Sequence, residues 1–244
     1  MNKVMKIEQV MEHLHDGMSI MFGGFLGVGA PLHCIEKIAQ SGVKDLTIMS
    51  IVSSNPPSGF DLAVLFQNKQ VKKYITSHIG TSTEILEAAE NNEFELELYP
   101  QGTWIEKIRC GGYGLGGVLT PTGVNTLVEH GKQRLTVDGK DYLLETPLRA
   151  DMAFIKGYRG DRIGNVQYRG VSVSSNPIVA AAADFTVAEV NEIVEQGEID
   201  PMTVGTPSVF VNAVVQGYRF DEQEQIMLKR WMQTGRLSQM EDSS

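Results

Sequence analysis

Asp16-Gly17-Met18-Ser19-Ile20-Met21-Phe22-Gly23-Gly24-Phe25-Leu26-Gly27-Val28-Gly29-Ala30-Pro31 is the stretch whose reading decides the fold. Residues 18–22 form a short apolar run, the pattern of a strand buried on both faces. Four glycines within residues 23–29 then demand a tight turn nearly free of side chains, where positive φ is allowed and a ligand can approach the backbone. Pro31 opens a helix over residues 32–40, which Ser41 and Gly42 stop. A second buried strand follows over residues 46–52. Strand, turn, helix and strand within about 35 residues make a βαβ unit with parallel pairing.

The alternation continues outward from this unit. Residues 7–15 carry apolar side chains at helical spacing. Residues 60–67 and 82–91 read as helices and 71–77 and 94–99 as strands, and a short helix over 103–110 precedes a second glycine-rich loop over 111–117. Residues 134–144 read as a hairpin turning at Asp138-Gly139. Strands over 152–156, 165–168 and 185–189 and a helix over 176–183 complete the pattern, with Val209-Phe210-Val211 after a turn at Thr206-Pro207. The fold class is therefore α/β, a three-layer α/β/α sandwich on a mostly parallel sheet. We expect one domain over residues 1–217 and a helical extension over 218–244. In that extension Phe220, Met227, Leu228, Trp231 and Met232 form an apolar stripe suited to docking on the body or on a partner, and docking on the body is expected.

Bulk properties narrow the function. The chain has 244 residues and a net charge of −9, which argues against a general polyanion binder or a membrane-surface protein. It has 25 glycines, above the roughly 7% average. Cys34 and Cys110 share no metal or redox spacing and read as idle thiols in a reducing compartment. No apolar leader and no span-length apolar run is seen, so a cytoplasmic location is expected. The five histidines show no metal spacing, and no serine-hydrolase, nucleotide-loop or zinc-protease motif occurs, so no metal is expected.

Three segments are candidates for chemistry. The backbone N–H groups of Gly23, Gly24, Phe25, Leu26, Gly27, Val28 and Gly29 lie at the carboxyl end of a strand, where an open α/β sheet places its ligand. The plain alternative is a tight turn with no ligand. Gly112, Gly114 and Gly117 match a dinucleotide fingerprint literally, but a helix precedes them, so a mobile or structural loop is expected instead. Gln101, at the tip of the strand ending near Tyr99, offers a donor and an acceptor to a ligand carbonyl, or else caps a local turn. Lys69, Lys72 and Lys73 form a small basic cluster of the kind that is usually a solvated face.

Together these residues resemble family I CoA-transferases. Residues 16–31 are similar to that family's α-subunit signature: an Asp-Gly start, three apolar residues, Gly-Gly-Phe, then Gly and Pro. Further agreement lies in Pro100-Gln101-Gly102-Thr103, Ile108-Arg109-Cys110-Gly111-Gly112, Leu119-Thr120-Pro121-Thr122-Gly123, Leu143-Leu144-Glu145 and Ala150-Asp151. The resemblance is closest to the α subunits of acetate and 3-oxoacid transferases. It implies an α2β2 assembly with a β subunit, CoA and acyl-CoA as substrates, no permanently bound cofactor, and ping-pong chemistry through a glutamyl-CoA thioester. It places the glycine turn, Gly23 to Gly29, against CoA and gives Gln101 an orienting role. The nucleophilic glutamate of the family lies in a Ser-Glu-Asn-Gly motif of the β subunit. The nearest string here, Ala89-Glu90-Asn91-Asn92, does not match, so no catalytic nucleophile is expected in this chain. In the loop after the second strand, where relatives often carry Asn, this chain has Ser53 or Ser54, with Asn55 next. The competing reading is a non-catalytic module of the same fold that binds a phosphorylated metabolite.

Overall fold

Successive residues of each central strand enter two different apolar cores. The computed structural model describes residues 2–52 and 59–235. After the short helix α1 (Ile7–Met11) comes β1 (Ser19–Phe22), where Ile20 and Phe22 enter one core and Met21 the other. Helix α2 (Leu32–Ser41), β2 (Leu46–Met49), α3 (Ala63–Gln67), β3 (Val71–Thr76), α4 (Thr83–Glu90) and β4 (Glu95–Leu98) follow. Then come α5 (Gln101–Gly112), β5 (Val118–Thr120), β6 (Arg134–Val137), β7 (Lys140–Glu145), β8 (Ala150–Asp161), β9 (Val166–Gln167), α6 (Asn176–Ala181), β10 (Ala183–Val194), β11 (Ala213–Gln216) and α7 (Phe220–Gln233). Ile48, Tyr74, Phe154 and Val187 join the first core with α1 to α4, while Met49, Ile75, Ile155 and Ala188 join the second with α5 and α6. Period-two alternation into two helical layers makes the three-layer sandwich.

The main sheet has the order β11-β10-β8-β1-β2-β3-β4, with every neighbouring pair parallel. Only β9 is antiparallel, paired with the far end of β8. The chain lays down β2, β3 and β4 on one side of β1, then returns to place β8 on the other. The order therefore reverses between β1 and β8, and the carboxyl ends of those strands flank the crevice where doubly wound sheets bind ligands.

Several boundaries differ from the sequence reading. Helix α1 stops at Met11, and β2 stops at Met49. Gly111 and Gly112 are the last turn of α5 rather than the start of a loop. A Cβ on Gly111 would lie 2.0 Å from the Leu148 carbonyl oxygen, so these glycines let the helix approach its neighbours. Strands β8 and β10 are 12 residues each, far longer than expected. Residues 208–210 form a 3-10 turn, and the strand lies just beyond, at β11. The hairpin of β6 and β7 turns at Asp138 and Gly139 as expected, with φ of 50° and 74°. Ser53, Ser54 and Asn55 lie outside the described residues.

A small antiparallel sheet, β5-β7-β6, is tied to α5 by buried charge. Glu145 is 1% exposed and accepts from Lys107, at 3.2 Å and itself 2% exposed, and from Lys132. Both ammonium groups also sit over the Tyr99 ring, 4.4 and 4.9 Å from its centroid. Asp61 is a second buried carboxyl, left-handed at φ 56°, and among the described residues its Oδ1 has no hydrogen-bond partner. Burial pushes its pKa up to about 7, against the pull of the Leu62 backbone N–H.

Glu145→Leu strands the Lys107 charge. We expect a loss of about 3–5 kcal/mol in urea unfolding, most of it recovered in the Lys107→Met/Glu145→Leu double variant. For Asp61 the folded pKa lies above the unfolded one, so the folded chain holds the extra proton. Its contribution is full below about pH 4 and is lost as pH rises toward about 7. Asp61→Asn, which suits a left-handed position, is expected to match the parent at pH 4 and exceed its stability by up to about 4 kcal/mol at pH 8. The difference between the two unfolding curves against pH is the measurement.

Candidate functional site

Beyond Phe22 the chain makes a two-residue hairpin. Phe25 N–H donates to the Val28 carbonyl at 2.9 Å, and Val28 N–H returns the bond to Phe25 at 3.0 Å. The central residues Leu26 and Gly27 have φ of 52° and 80°, the signs of a type I′ turn. Gly27 takes this conformation freely, whereas a leucine there costs roughly 1–2 kcal/mol. The strain falls on the tip of the turn, and contact between Leu26 and the second core offsets it. The N–H groups of Leu26 and Gly27 have no backbone acceptor among the described residues.

The glycines are shaped largely by the protein itself. A Cβ on Gly23 would sit 1.9 Å from Asn176 Oδ1. Asn176, fully buried, donates through Nδ2 to the carbonyls of Gly29 and Ser172, each at 3.0 Å, and accepts from Lys156 N–H at 2.9 Å. The turn is thereby fastened to β8. Gly23, Gly24, Gly27 and Gly29 are all buried, and the turn shows the outside Phe25, at 37% exposure, with parts of Leu26 and Val28. The stretch is thus less bare than its composition implied.

Beside the turn lies a chamber of about 240 Å³, at the β1/β8 reversal. Its walls include Gly27 to Gly29, Lys156, Tyr158 and residues of α7. Lys156 is 2% exposed and donates to the Gly157 carbonyl at 2.7 Å. Burial lowers its pKa to about 8, against the attraction of Glu189, its cross-strand partner in β10. Burial raises the Glu189 carboxyl, while Lys156 and the Cys34 N–H pull it back. Glu189 Oε2 accepts that N–H at 2.9 Å in the first turn of α2, and Oε1 has no hydrogen-bond partner among the described residues. Fully enclosed, Glu189 cannot reach a substrate. The Cys34 thiol is pushed well up by burial and by the Glu189 charge beside it, and so stays unreactive.

Gln101 lies elsewhere on the same sheet edge. It is the first residue of α5, exposed, at the end of β4. It borders an open groove of about 530 Å³ with Thr103, Leu119 and Thr122. β4 is three strands from β1, roughly 14 Å at the usual spacing. The chain therefore holds Gln101 and the glycine turn on one edge but in separate cavities. Of the basic cluster, Lys73 bonds Glu95 and Glu97 at 2.8 and 2.7 Å, and Lys69 pairs with Glu93 at 3.8 Å, so this is a solvated face. Among the described residues no group of His, Cys, Asp and Glu is placed to hold a metal, and no helix is long and apolar enough to cross a membrane. Gly112 is helical, so its fingerprint-like string is no dinucleotide loop.

The sequence reading passed over Lys156, Glu189 and Asn176. Two of them had a signal, since Lys156 follows Ala153-Phe154-Ile155 and Glu189 follows Val187-Ala188, a charge set inside an apolar strand. Asn176 had none beyond the proline after it.

The comparisons with known proteins agree on one class. The family model described as coenzyme A transferase matches residues 4–217. The acetate CoA-transferase subunit alpha of Escherichia coli K12 is 46% identical over 213 residues, covering 87% of this chain and 96% of that one. The acetoacetyl-CoA:acetate/butyrate CoA transferase alpha subunit of Clostridium acetobutylicum is 42% identical over 215 residues, covering 88% and 98%. Among solved structures, an acyl-CoA transferase apoenzyme from E. coli O157:H7 superposes with a TM-score of 0.82 at 21% identity, covering 88% of this chain but only 47% of that one, and so speaks to the fold. None of these is a sugar-phosphate-binding module. With a glycine turn at the β1/β8 reversal and relatives of this kind over nearly its whole matched length, the chain belongs to the coenzyme A transferase family.

Proposed function

We propose that this chain is the α half of an α2β2 CoA-transferase of the cytoplasm, exchanging CoA between a short-chain acyl-CoA and a carboxylic acid of the acetate, butyrate or acetoacetate class. The observation that carries the reading is that the chain matches CoA-transferase alpha subunits along nearly their whole length, while its sequence holds no Ser-Glu-Asn-Gly string to supply the family's nucleophile. The chain also corresponds to about half of a solved acyl-CoA transferase. A second chain supplies the rest. The substrate class follows the names of the relatives most similar in sequence. The body over residues 1–217 performs this role, with 218–244 as an added segment.

In this mechanism a glutamate of the β subunit attacks the thioester carbonyl, forming an acyl-glutamyl anhydride and releasing CoA thiolate. The thiolate attacks the glutamyl carbonyl, giving glutamyl-CoA and freeing the first acid. The second acid then runs the sequence in reverse. Each step gathers negative charge on a carbonyl oxygen, which needs fixed donors. The amides of Leu26 and Gly27 are suited to that work, while Gln101, in its own groove along the same edge, is placed to orient the partner's glutamate. The glycine turn, Gly23 to Gly29, supports the acyl-CoA through its backbone, and the buried Lys156 lends positive potential. No permanently bound cofactor is required.

The purified chain alone is expected to show no exchange between acetyl-CoA and labelled carboxylic acids, and co-expression with its β partner should restore it. Transfer by the lone chain would defeat the proposal. In the assembled enzyme, Gln101→Ala is expected to lower kcat/KM by about tenfold to a hundredfold, with assembly by size-exclusion chromatography unchanged.

A further inference from the structure

Helix α7 lies beyond the part of the chain that matches the family. The match ends at residue 217, and α7 begins at Phe220. The helix nonetheless packs on the most constrained turn of the molecule, and three sets of contacts hold it there. At its start, the Arg169 guanidinium lies 4.0 Å from the Phe220 ring centroid and 5.2 Å from that of Tyr158. Along the first turns, Asn191 Nδ2 donates to the Tyr218 carbonyl at 2.6 Å and to Gln223 Oε1 at 2.7 Å. Toward its end, Arg230 sits 5.3 Å over the Phe60 ring. These contacts make α7 a placed wall and not a loose tail.

Between these anchors Met227 points inward. It is 8% exposed and clusters with Ala30, Leu32 and Phe60, with Ile226 and Trp231 partly buried beside it. Leu228 and Met232, members of the expected stripe, are 38% and 46% exposed, so the docked edge of α7 is narrower than the sequence suggested. The Met227 methyl would stand 3.5 Å from a Cβ on Gly27. Met227 therefore stands against the turn in the wall of the chamber that Lys156 also lines.

We propose that Met227 determines acyl-chain length, with α7 as the outer wall of the acyl pocket. This rests on the reading above, that acyl-CoA is held at the glycine turn. The chamber's volume is about 240 Å³, below the roughly 300–1,000 Å³ of pockets for drug-sized ligands. It is too small for the nucleotide end of CoA and suits a short acyl chain. Val28, Met227 and Trp231 supply apolar contact for methylenes, while Lys156 and Arg169, in the same lining, supply positive charge for the polar carbonyl or carboxylate. A methionine at the limit of such a pocket can shift its thioether to take or refuse one methylene, and a misfit of one methylene is worth about 10–200-fold in specificity.

The test uses the complex of this chain with its β subunit and compares kcat/KM for straight-chain acids from acetate to octanoate with one fixed acyl-CoA donor. Met227→Ala is expected to raise the hexanoate-to-acetate ratio by about tenfold or more, and Met227→Phe to lower the butyrate-to-acetate ratio by a similar factor. Met232→Ala, on the exposed face of α7, should keep the parent profile. If both Met227 variants transfer CoA with the parent profile, α7 is only a cover and the proposal is overturned. If Met227→Ala fails to fold in a melting scan, Met227→Phe decides alone by the same criterion. If the parent complex moves CoA to no acid in the series, the proposed function fails and takes this inference with it.

Discussion

The side chain of Asn176 fixes where the glycine turn sits. It ties β8, the turn and the segment before α6 together through three hydrogen bonds, two donated and one accepted. Three such bonds contribute only about 1 kcal/mol each in net terms, but leaving their partners unpaired in a dry interior costs more per group. The arrangement needs Gly23, since a β-carbon there would occupy the space of the Asn176 amide oxygen. One amide and one missing methyl thus set the height of the turn above the sheet. The strained Leu26 persists because the turn has nowhere to relax.

The same crevice carries a costly pair of charges. Lys156 and Glu189 are register partners on adjacent central strands, both almost fully enclosed. Desolvation works against both ionised forms, as the downward shift of the lysine and the upward shift of the carboxyl show. Their mutual attraction and the Cys34 N–H at the start of α2 offset part of that cost. Two apolar residues of similar volume would serve stability at least as well. A fixed dipole beside the chamber, which Lys156 alone of the two lines, is what the ionic pair adds.

How much of this was legible in the sequence follows from which force acts at each element. The apolar runs behind β1 and β2 could be read directly, because strands buried on both faces need little else. The full length of β8 could not, since Arg159 and Asp161 look like a loop. Pairing with β9 and β10, including the bond from Arg159 to Glu192 at 3.0 Å, overrides local propensity there. Helix α5 ran through two glycines because close neighbours compensate for their entropy. At the site, the glycine turn was evident from composition, but Asn176, which shapes it, is one polar residue more than 140 positions away, and no periodicity announces such a contact.

The packing around the turn changes how its glycines should be understood. If they were there only to admit a ligand, the space where their side chains would be should stand open. Instead Gly23 is met by Asn176, Gly27 by Phe60 and Met227, and Gly29 by the Ser172 carbonyl. A backbone clasped this closely by its own protein is rigid before any substrate arrives. Rigidity of that kind is what electrostatic catalysis requires, because a donor that must reorganise as charge develops stabilises the transition state less. In the function proposed above, the glycines serve the chemistry indirectly, by letting the rest of the chain close around the turn and hold the Leu26 and Gly27 amides still.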